Sequence, residues 1–320
     1  MEEVTASAPG KCILTGEHSV VYGLPALAVA INMRAKATVK SYEKGETFIH
    51  AKQFNKKIRL PISPDKNIIV DNDLQPIYIS VVKTLEFLKI NDGVEVHIDS
   101  SIPDASGLGS SAAVAVATVK AVSEFFGIHL KENEISSLSL ESEKIVHGSP
   151  SGIDTTISIY GGGILFKKGS VVKVKTPSDI PLIIGDTLKK RNTGKMVSKV
   201  RENYLKYTEI FKPILTAMGR ISMQAKKYLE IPELSKLGEL LNINQALLES
   251  LGVSTVDLEK LVYAAREAGA YGAKLTGAGG GGCIVALAPS DKCETVALKI
   301  IEAGGKAYIT SVTDTGVKIE

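Results

Sequence analysis

Residues 94–126 constrain the fold more than any other stretch. A β-rich run, Val94 to Ile98, leads into Ile102-Pro-Asp-Ala-Ser-Gly-Leu-Gly-Ser-Ser-Ala-Ala113, and this loop opens a helical pattern, Ser110 to Phe126, that is almost wholly apolar. A helix with so little polar surface has to be buried, and Ala112 to Ala117 allow its neighbours to pack tightly. The glycines permit close backbone approach, and the free N–H groups of the first helical turn point at whatever lies in front of them. That makes an anion site, with phosphate the usual occupant. Ser106, Gly107, Leu108, Gly109, Ser110, Ser111 and Ala112 are the candidate contacts. A Gly-Ser turn with a helix cap would use the same residues without a ligand. Gly107-x-Gly109-x-x-Ala112 also meets the dinucleotide fingerprint. About 20 residues on, however, Glu124 lies inside the helical pattern instead of ending a strand. No Gly-Lys-Ser or Gly-Lys-Thr of a Walker loop occurs.

The rest of the chain mixes strands and helices. Short β-rich runs at Val4 to Ser7, Ala35 to Tyr42, Thr47 to Ala51 and Lys57 to Leu60 accompany helical patterns at Leu74 to Lys89 and Glu132 to Val146. Further helices are expected at Lys195 to Tyr207, Ile210 to Leu229, Leu234 to Leu248, Thr255 to Glu267 and Cys293 to Ala303, with a buried strand at Cys283 to Ala288 and two closing strands. Thr176-Pro-Ser-Asp-Ile-Pro181 is the best connector, since each proline removes a donor and disfavours helix before it. The expected division is 1–180 and 181–320, both α+β. A formal charge of +3 over 320 residues is too small a bias to argue for nucleic acid. Apolar runs of about eight residues fall well short of a membrane span. No export signal is visible in the acidic start, and three widely spaced cysteines fit neither a disulfide framework nor paired zinc ligands. A cytoplasmic protein with no membrane or nucleic-acid partner is expected.

Two more glycine clusters stand out. Lys274-Leu-Thr-Gly-Ala-Gly-Gly-Gly-Gly-Cys283 runs into a strand, the wrong element for a dinucleotide helix. It is either an unliganded turn or a backbone surface, through Gly277 and Gly279, lying against phosphate or substrate. Gly161 to Gly163 reads as a structural bend. Among polar residues, Lys11, Glu17 and His18 share a short apolar frame. Asp154 sits in His147-Gly-Ser-Pro-Ser-Gly-Ile-Asp154, read as a loop whose proline and glycines would fix a carboxylate before the β-branched run Thr155 to Ile159. Glu143 lies toward the end of a helix, where the dipole disfavours a carboxylate unless a cation such as magnesium compensates. Lys189-Lys-Arg191 with Lys195, Lys199 and Arg201 is a basic patch, solvated by default, beside which Thr193 could offer a hydroxyl.

Pro9-Gly-Lys-Cys-Ile-Leu-Thr-Gly-Glu-His18, Ser106-Gly-Leu-Gly-Ser-Ser-Ala-Ala113 and Lys274 to Cys283 resemble, in order and spacing, the three motifs of the GHMP small-molecule kinases. Within that family the match is to members acting on mevalonate, because Ser19-Val-Val-Tyr-Gly23 continues the first motif and His147 to Asp154 looks like their catalytic segment. Ala105 stands where the second motif usually has glycine, which implies a shifted loop start. Ser19-Val20-Val21 stand where a galactokinase would carry aspartate, which disfavours a hexose. The resemblance implies a two-domain fold, with an N-terminal domain like the second domain of ribosomal protein S5 and a ferredoxin-like C-terminal domain. It further implies phosphorylation of the C5 hydroxyl of mevalonate by ATP, with Asp154 and Lys11 catalytic and Ser111 and Glu143 holding Mg2+. The glycine loops would hold the nucleotide, and Glu17, His18, Gly152 and Thr193 are the candidate contacts to the alcohol. By analogy alone it extends to a homodimer. A kinase for phosphomevalonate or a related alcohol, supported by Lys189 to Arg191, and a nucleotide sensor without turnover are the alternatives.

Overall fold

The computed structural model describes residues 2–62, 70–103, 107–147, 152–167, 170–190 and 192–320. In chain order its strands are β1 (Glu3–Thr15), β2 (Ala26–Tyr42), β3 (Glu46–Ala51), β4 (Lys56–Pro61), β5 (Gly93–Ser100), β6 (Gly163–Lys167), β7 (Ser170–Val174), β8 (Pro181–Asp186), β9 (Gly272–Leu275), β10 (Cys283–Leu287), β11 (Lys306–Ser311) and β12 (Lys318–Ile319). The helices are α1 (Gln75–Leu88), α2 (Ser110–Phe125), α3 (Glu132–His147), α4 (Ile153–Tyr160), α5 (Thr193–Lys206), α6 (Thr208–Glu230), α7 (Leu234–Ser250), α8 (Val256–Glu267) and α9 (Cys293–Glu302).

Among the described residues the first sheet runs β12-β1-β2-β5-β3-β4, with β6 added on β2 and β7 on β6. Its pairs are antiparallel except β3 with β5. Alternation along β3 and β5 sends Ile49, Ala51, Val94, Val96 and Ile98 into the core. α2 lies against β1 and β2 and is flanked by α1 and α3. Every residue from Ala112 to Val119 is buried, which accounts for its alanine and valine content.

The second sheet, β11-β8-β10-β9, is wholly antiparallel. β8 and β10 are buried on both faces. Ile183, Ile284 and Ala286 enter a core with α8 and α9, whereas Leu182, Ile184, Val285 and Leu287 join the same cluster as the first sheet. That two-sided burial is why both strands read as unbroken apolar runs instead of alternating ones. The change of sheet falls between β7 and β8, across the Thr176–Pro181 connector, but β12 returns to pair with β1 and carries the C-terminus back to the first sheet.

One difference from expectation bears on the site. The β-branched run Thr155 to Ile159 is helical, not extended, and Asp154 sits in the first turn of α4 and not in a loop. Ile153 and Ile157 are buried on one side of that helix in a cluster with Ala28, Ala30 and Ile164. Burial at the i, i+4 spacing outweighs the modest helix penalty of β-branched residues.

Candidate active site

Lys11 reaches the site because β1 is irregular where it passes beneath α2. Register shifts at Pro9/Gly10 and Ile13/Thr15 bracket it, and such bulges twist a strand and re-aim its side chains. The Lys11 N–H donates to the Leu108 carbonyl at 2.7 Å. Its stem lies against Gly109, where an added Cβ would stand 2.9 Å from Lys11 Cγ. Gly109 also has φ of 75°, in the left-handed region. An alanine there meets both problems. Gly109→Ala is expected to lose about 1–2 kcal/mol of stability from the backbone alone. It should also lower turnover about tenfold or more by displacing Lys11, as denaturant midpoints and steady-state rates would read out.

Asp154 comes from the other side. Gly152 caps α4, and Asp154 occupies the first turn, where the helix dipole favours a carboxylate. Lys11 Nζ stands 3.3 Å from Asp154 Oδ1, with Lys11 buried and Asp154 one-third exposed. The pair is thus closed on the ammonium side and open toward solvent on the carboxylate side. Two buried hydrogen bonds hold α4 in place: Ser158 Oγ donates to the Pro9 carbonyl at 2.9 Å, and Thr155 Oγ1 donates to Glu143 Oε1 at 2.8 Å.

Glu143, on α3, is 3% exposed. Burial pushes its carboxyl up to about 7; the Thr155 hydroxyl opposes the shift, the Asp154 charge adds to it and Lys11 opposes it. One lysine therefore faces two carboxylates, which leaves room for a cation. The donor set suits magnesium, which takes hard oxygen ligands such as a carboxylate and, from α2, the Ser111 hydroxyl. Among the described residues no group of three His, Cys, Asp or Glu converges as a self-sufficient metal site. Because folded Glu143 keeps its proton to about pH 7 and an unfolded glutamate releases it near 4.5, the folded state binds the extra proton between those values. Stability of the metal-free protein is then expected to fall as pH rises from 4.5 through 7, by about 3 kcal/mol from this group. Glu143→Gln should remove that slope, and added Mg2+ should flatten it.

The nucleotide loop is only partly described. Gly107, Leu108 and Gly109 precede α2, and Ser106 and Ala105 lie outside the described residues. Gly109, the N-cap residue of α2, offers no side-chain cap, and the first N–H groups of the helix, around Ser110, Ser111 and Ala112, have no partner within the helix. The loop 276–282 is fixed by its packing. Gly280 N–H donates to the Val253 carbonyl at 2.8 Å and Gly282 N–H to the Lys189 carbonyl at 3.0 Å. A Cβ at Gly279 would come within 2.3 Å of the Val253 carbonyl oxygen. The turn is therefore built and not slack, and Lys189 belongs to it.

His18 Nε2 lies 2.9 Å from the Ala278 carbonyl. A carbonyl only accepts, so Nε2 carries the proton and Nδ1 is left as the acceptor. Burial keeps the imidazole pKa below its usual value, which favours this neutral form. Glu17 pairs with the fully buried Lys274 and accepts from Asn244 Nδ2 at 3.3 Å. Removing either member of such a pair would strand the other charge away from water. Thr193 is exposed at the start of α5, one residue after the Asn192 cap, and nothing draws it to Asp154. Arg191 lies outside the described residues. Reasoning from sequence assigned no role to Lys274, Asn244, Thr155, Ser158 or Thr276, whose hydroxyl both accepts from the Ile13 N–H and lies within hydrogen-bond reach of the Ile13 carbonyl, at 3.1 Å in each case. Lys274 opens the third glycine motif, and a lone lysine before an apolar strand was the available signal. Cys12, Cys283 and Cys293 are buried and form no disulfide among the described residues, and no helix among the described residues is long and apolar enough to cross a membrane.

The family descriptions "GHMP kinases N terminal domain" and "GHMP kinases C terminal" match residues 77–162 and 225–306. The mevalonate kinase of Thermococcus sibiricus is 43% identical over 330 residues, covering 99% of this chain and 98% of that one. The crystal structure of the Methanococcus jannaschii mevalonate kinase superposes with a TM-score of 0.87 at 29% identity, covering 97% and 98% of the two chains. The L. major mevalonate kinase in complex with R-mevalonate gives 0.84 at 26% identity, covering 97% and 96%. With motifs, two-sheet fold and full-length similarity in agreement, the chain belongs to the GHMP kinases, in their mevalonate kinase family.

Proposed function

We propose that this enzyme transfers the γ-phosphoryl group of ATP to the C5 hydroxyl of (R)-mevalonate, giving 5-phosphomevalonate and ADP, in the cleft between residues 1–180 and 181–320. The observation that carries this reading is the Lys11–Asp154 pair, 3.3 Å apart, with the Lys11 backbone bonded to Leu108 just before the start of α2. Phosphoryl transfer asks a protein for positioning and charge stabilisation more than for covalent chemistry, and this arrangement supplies both.

Asp154 accepts the proton of the C5 hydroxyl as its oxygen bonds to the γ-phosphorus and the bond to the ADP oxygen breaks. The Lys11 ammonium stabilises charge on the alkoxide and the transferring group. The α2 N–H groups, with Ser106, Gly107 and Leu108, cradle the phosphates, and the backbone at Gly277 and Gly279 closes on them from the opposite wall. Ser111 and Glu143 would hold Mg2+, which neutralises phosphate oxygens when bound. His18 Nδ1 accepts a hydrogen bond from the alcohol, and Gly152 borders it. Glu17 acts at one remove, by fixing His18 through the chain.

A coupled ADP assay across mevalonate, phosphomevalonate, homoserine and galactose tests the reading. ADP release dependent on mevalonate is expected. Faster release with another of the four, or nucleotide binding without release, would replace it by one of the alternatives.

A further inference from the structure

The outer face of the first sheet carries a second cluster of chemistry-bearing side chains, remote from the cleft. β3 and β5 run parallel and set His50 directly beside His97. Their strand neighbours Ile49, Ala51, Val96 and Ile98 are buried in the helix-covered core, so by alternation both imidazoles stand on the opposite, half-open face. Their Nδ1 atoms are 3.3 Å apart, and the rings meet edge to face at 78°.

The contact is a hydrogen bond at the long end of the usual range. Two nitrogens bound to one tetrahedral ion at about 2.0–2.1 Å lie about 3.3–3.4 Å apart, so an ion taking the place of the shared proton asks little movement of either ring. On its far side His97 Nε2 is 2.6 Å from Glu95 Oε1. A carboxylate accepts, so Nε2 holds the proton and Nδ1 presents its lone pair to His50. Metal-bound histidines are commonly oriented in this way. Burial, Lys57 and His97 together keep His50 below its usual pKa, hence neutral and able to ligate. Lys52, the other nearby cation, is paired with Asp99 at 2.9 Å.

We propose that His50 and His97 chelate a borderline divalent transition metal of the Zn2+ class through their Nδ1 atoms, with Glu95 orienting His97 and water filling the remaining positions. Only two protein ligands are involved, so the site is exchangeable, and its nitrogen donors separate it from the oxygen-liganded magnesium of the cleft. Binding requires His50 to carry its proton on Nε2, a tautomer change that needs no backbone movement.

The test is equilibrium dialysis of the untagged full chain against Zn2+ with excess Mg2+ present to occupy the cleft. About one Zn2+ per chain is expected. His50→Gln and His97→Gln should each weaken uptake tenfold or more and leave kinase turnover unchanged, which also reports that the variants are folded. Glu95→Gln should weaken uptake by a smaller factor. Zinc uptake equal in wild type and both histidine variants, or none in the wild type, would overturn the proposal.

Discussion

Asp154→Asn is expected to cut turnover by about a hundredfold or more, the range a positioned base contributes, with nucleotide affinity nearly intact. Asparagine keeps the size of the side chain and its place in the first turn of α4, while Ser158 and Thr155 still anchor that helix to Pro9 and Glu143. What it loses is the capacity to take a proton and the charge opposite Lys11. The α2 N–H groups and the 276–282 loop are untouched, so nucleotide binding, read by calorimetry, should change little. A second consequence separates loss of the base from general damage. The Asp154 charge adds to the burial that raises the Glu143 pKa, so in the variant Glu143 should release its proton at lower pH and the fall in stability between pH 4.5 and 7 should shrink. An Asp154→Asn protein that turned over at the wild-type rate would remove Asp154 from the chemistry.

Much of this architecture was legible in the sequence, for reasons that can be named. α2 announces itself by a glycine–serine entry and an alanine–valine run, and its observed bounds fall within one residue of those read from the pattern. α1 and α8 do the same, because a helix that buries one face carries its periodicity in the chain. α4 was concealed. Thr155, Thr156, Ile157, Ser158 and Ile159 favour extended structure locally, and what makes them helical is remote: the core cluster around Ala28 and the Pro9 carbonyl that receives Ser158. β9 was concealed too, since Gly272 to Leu275 is only four residues long and includes a lysine. In the site, motif spacing led to Lys11 and Asp154, and Pro9-Gly10 marks the first of the two register shifts that bracket Lys11, whereas no turn residue marks the second, at Ile13/Thr15. Glu17 shows the limit most plainly. Its place beside His18 suggested a ligand contact, but its partner lies 257 residues away, and pairing over that distance leaves no trace in neighbouring residues.

That partner, Lys274, supports the second large prediction. Its side chain is fully buried and donates to both Glu17 and the Leu275 carbonyl. Lys274→Met would leave the Glu17 carboxylate in the interior with Asn244 as its remaining hydrogen-bond donor. Removing one member of a buried pair typically costs about 3–5 kcal/mol, because the other charge stays desolvated. The denaturant midpoint should fall accordingly. The double variant Glu17→Gln with Lys274→Met removes both charges, so it should recover most of that loss. Full recovery of stability need not restore catalysis. Glu17 precedes His18, and Lys274 leads through Thr276 to Ala278, the residue whose carbonyl orients the His18 imidazole. The pair therefore ties the strand bearing Lys11 to the loop that closes the cleft. A double variant that is stable but has a raised KM for mevalonate, with the KM for ATP less affected, would show that the pair sets the position of His18. Equal instability of the single and double variants would instead mean that the loss came from packing and not from the stranded charge.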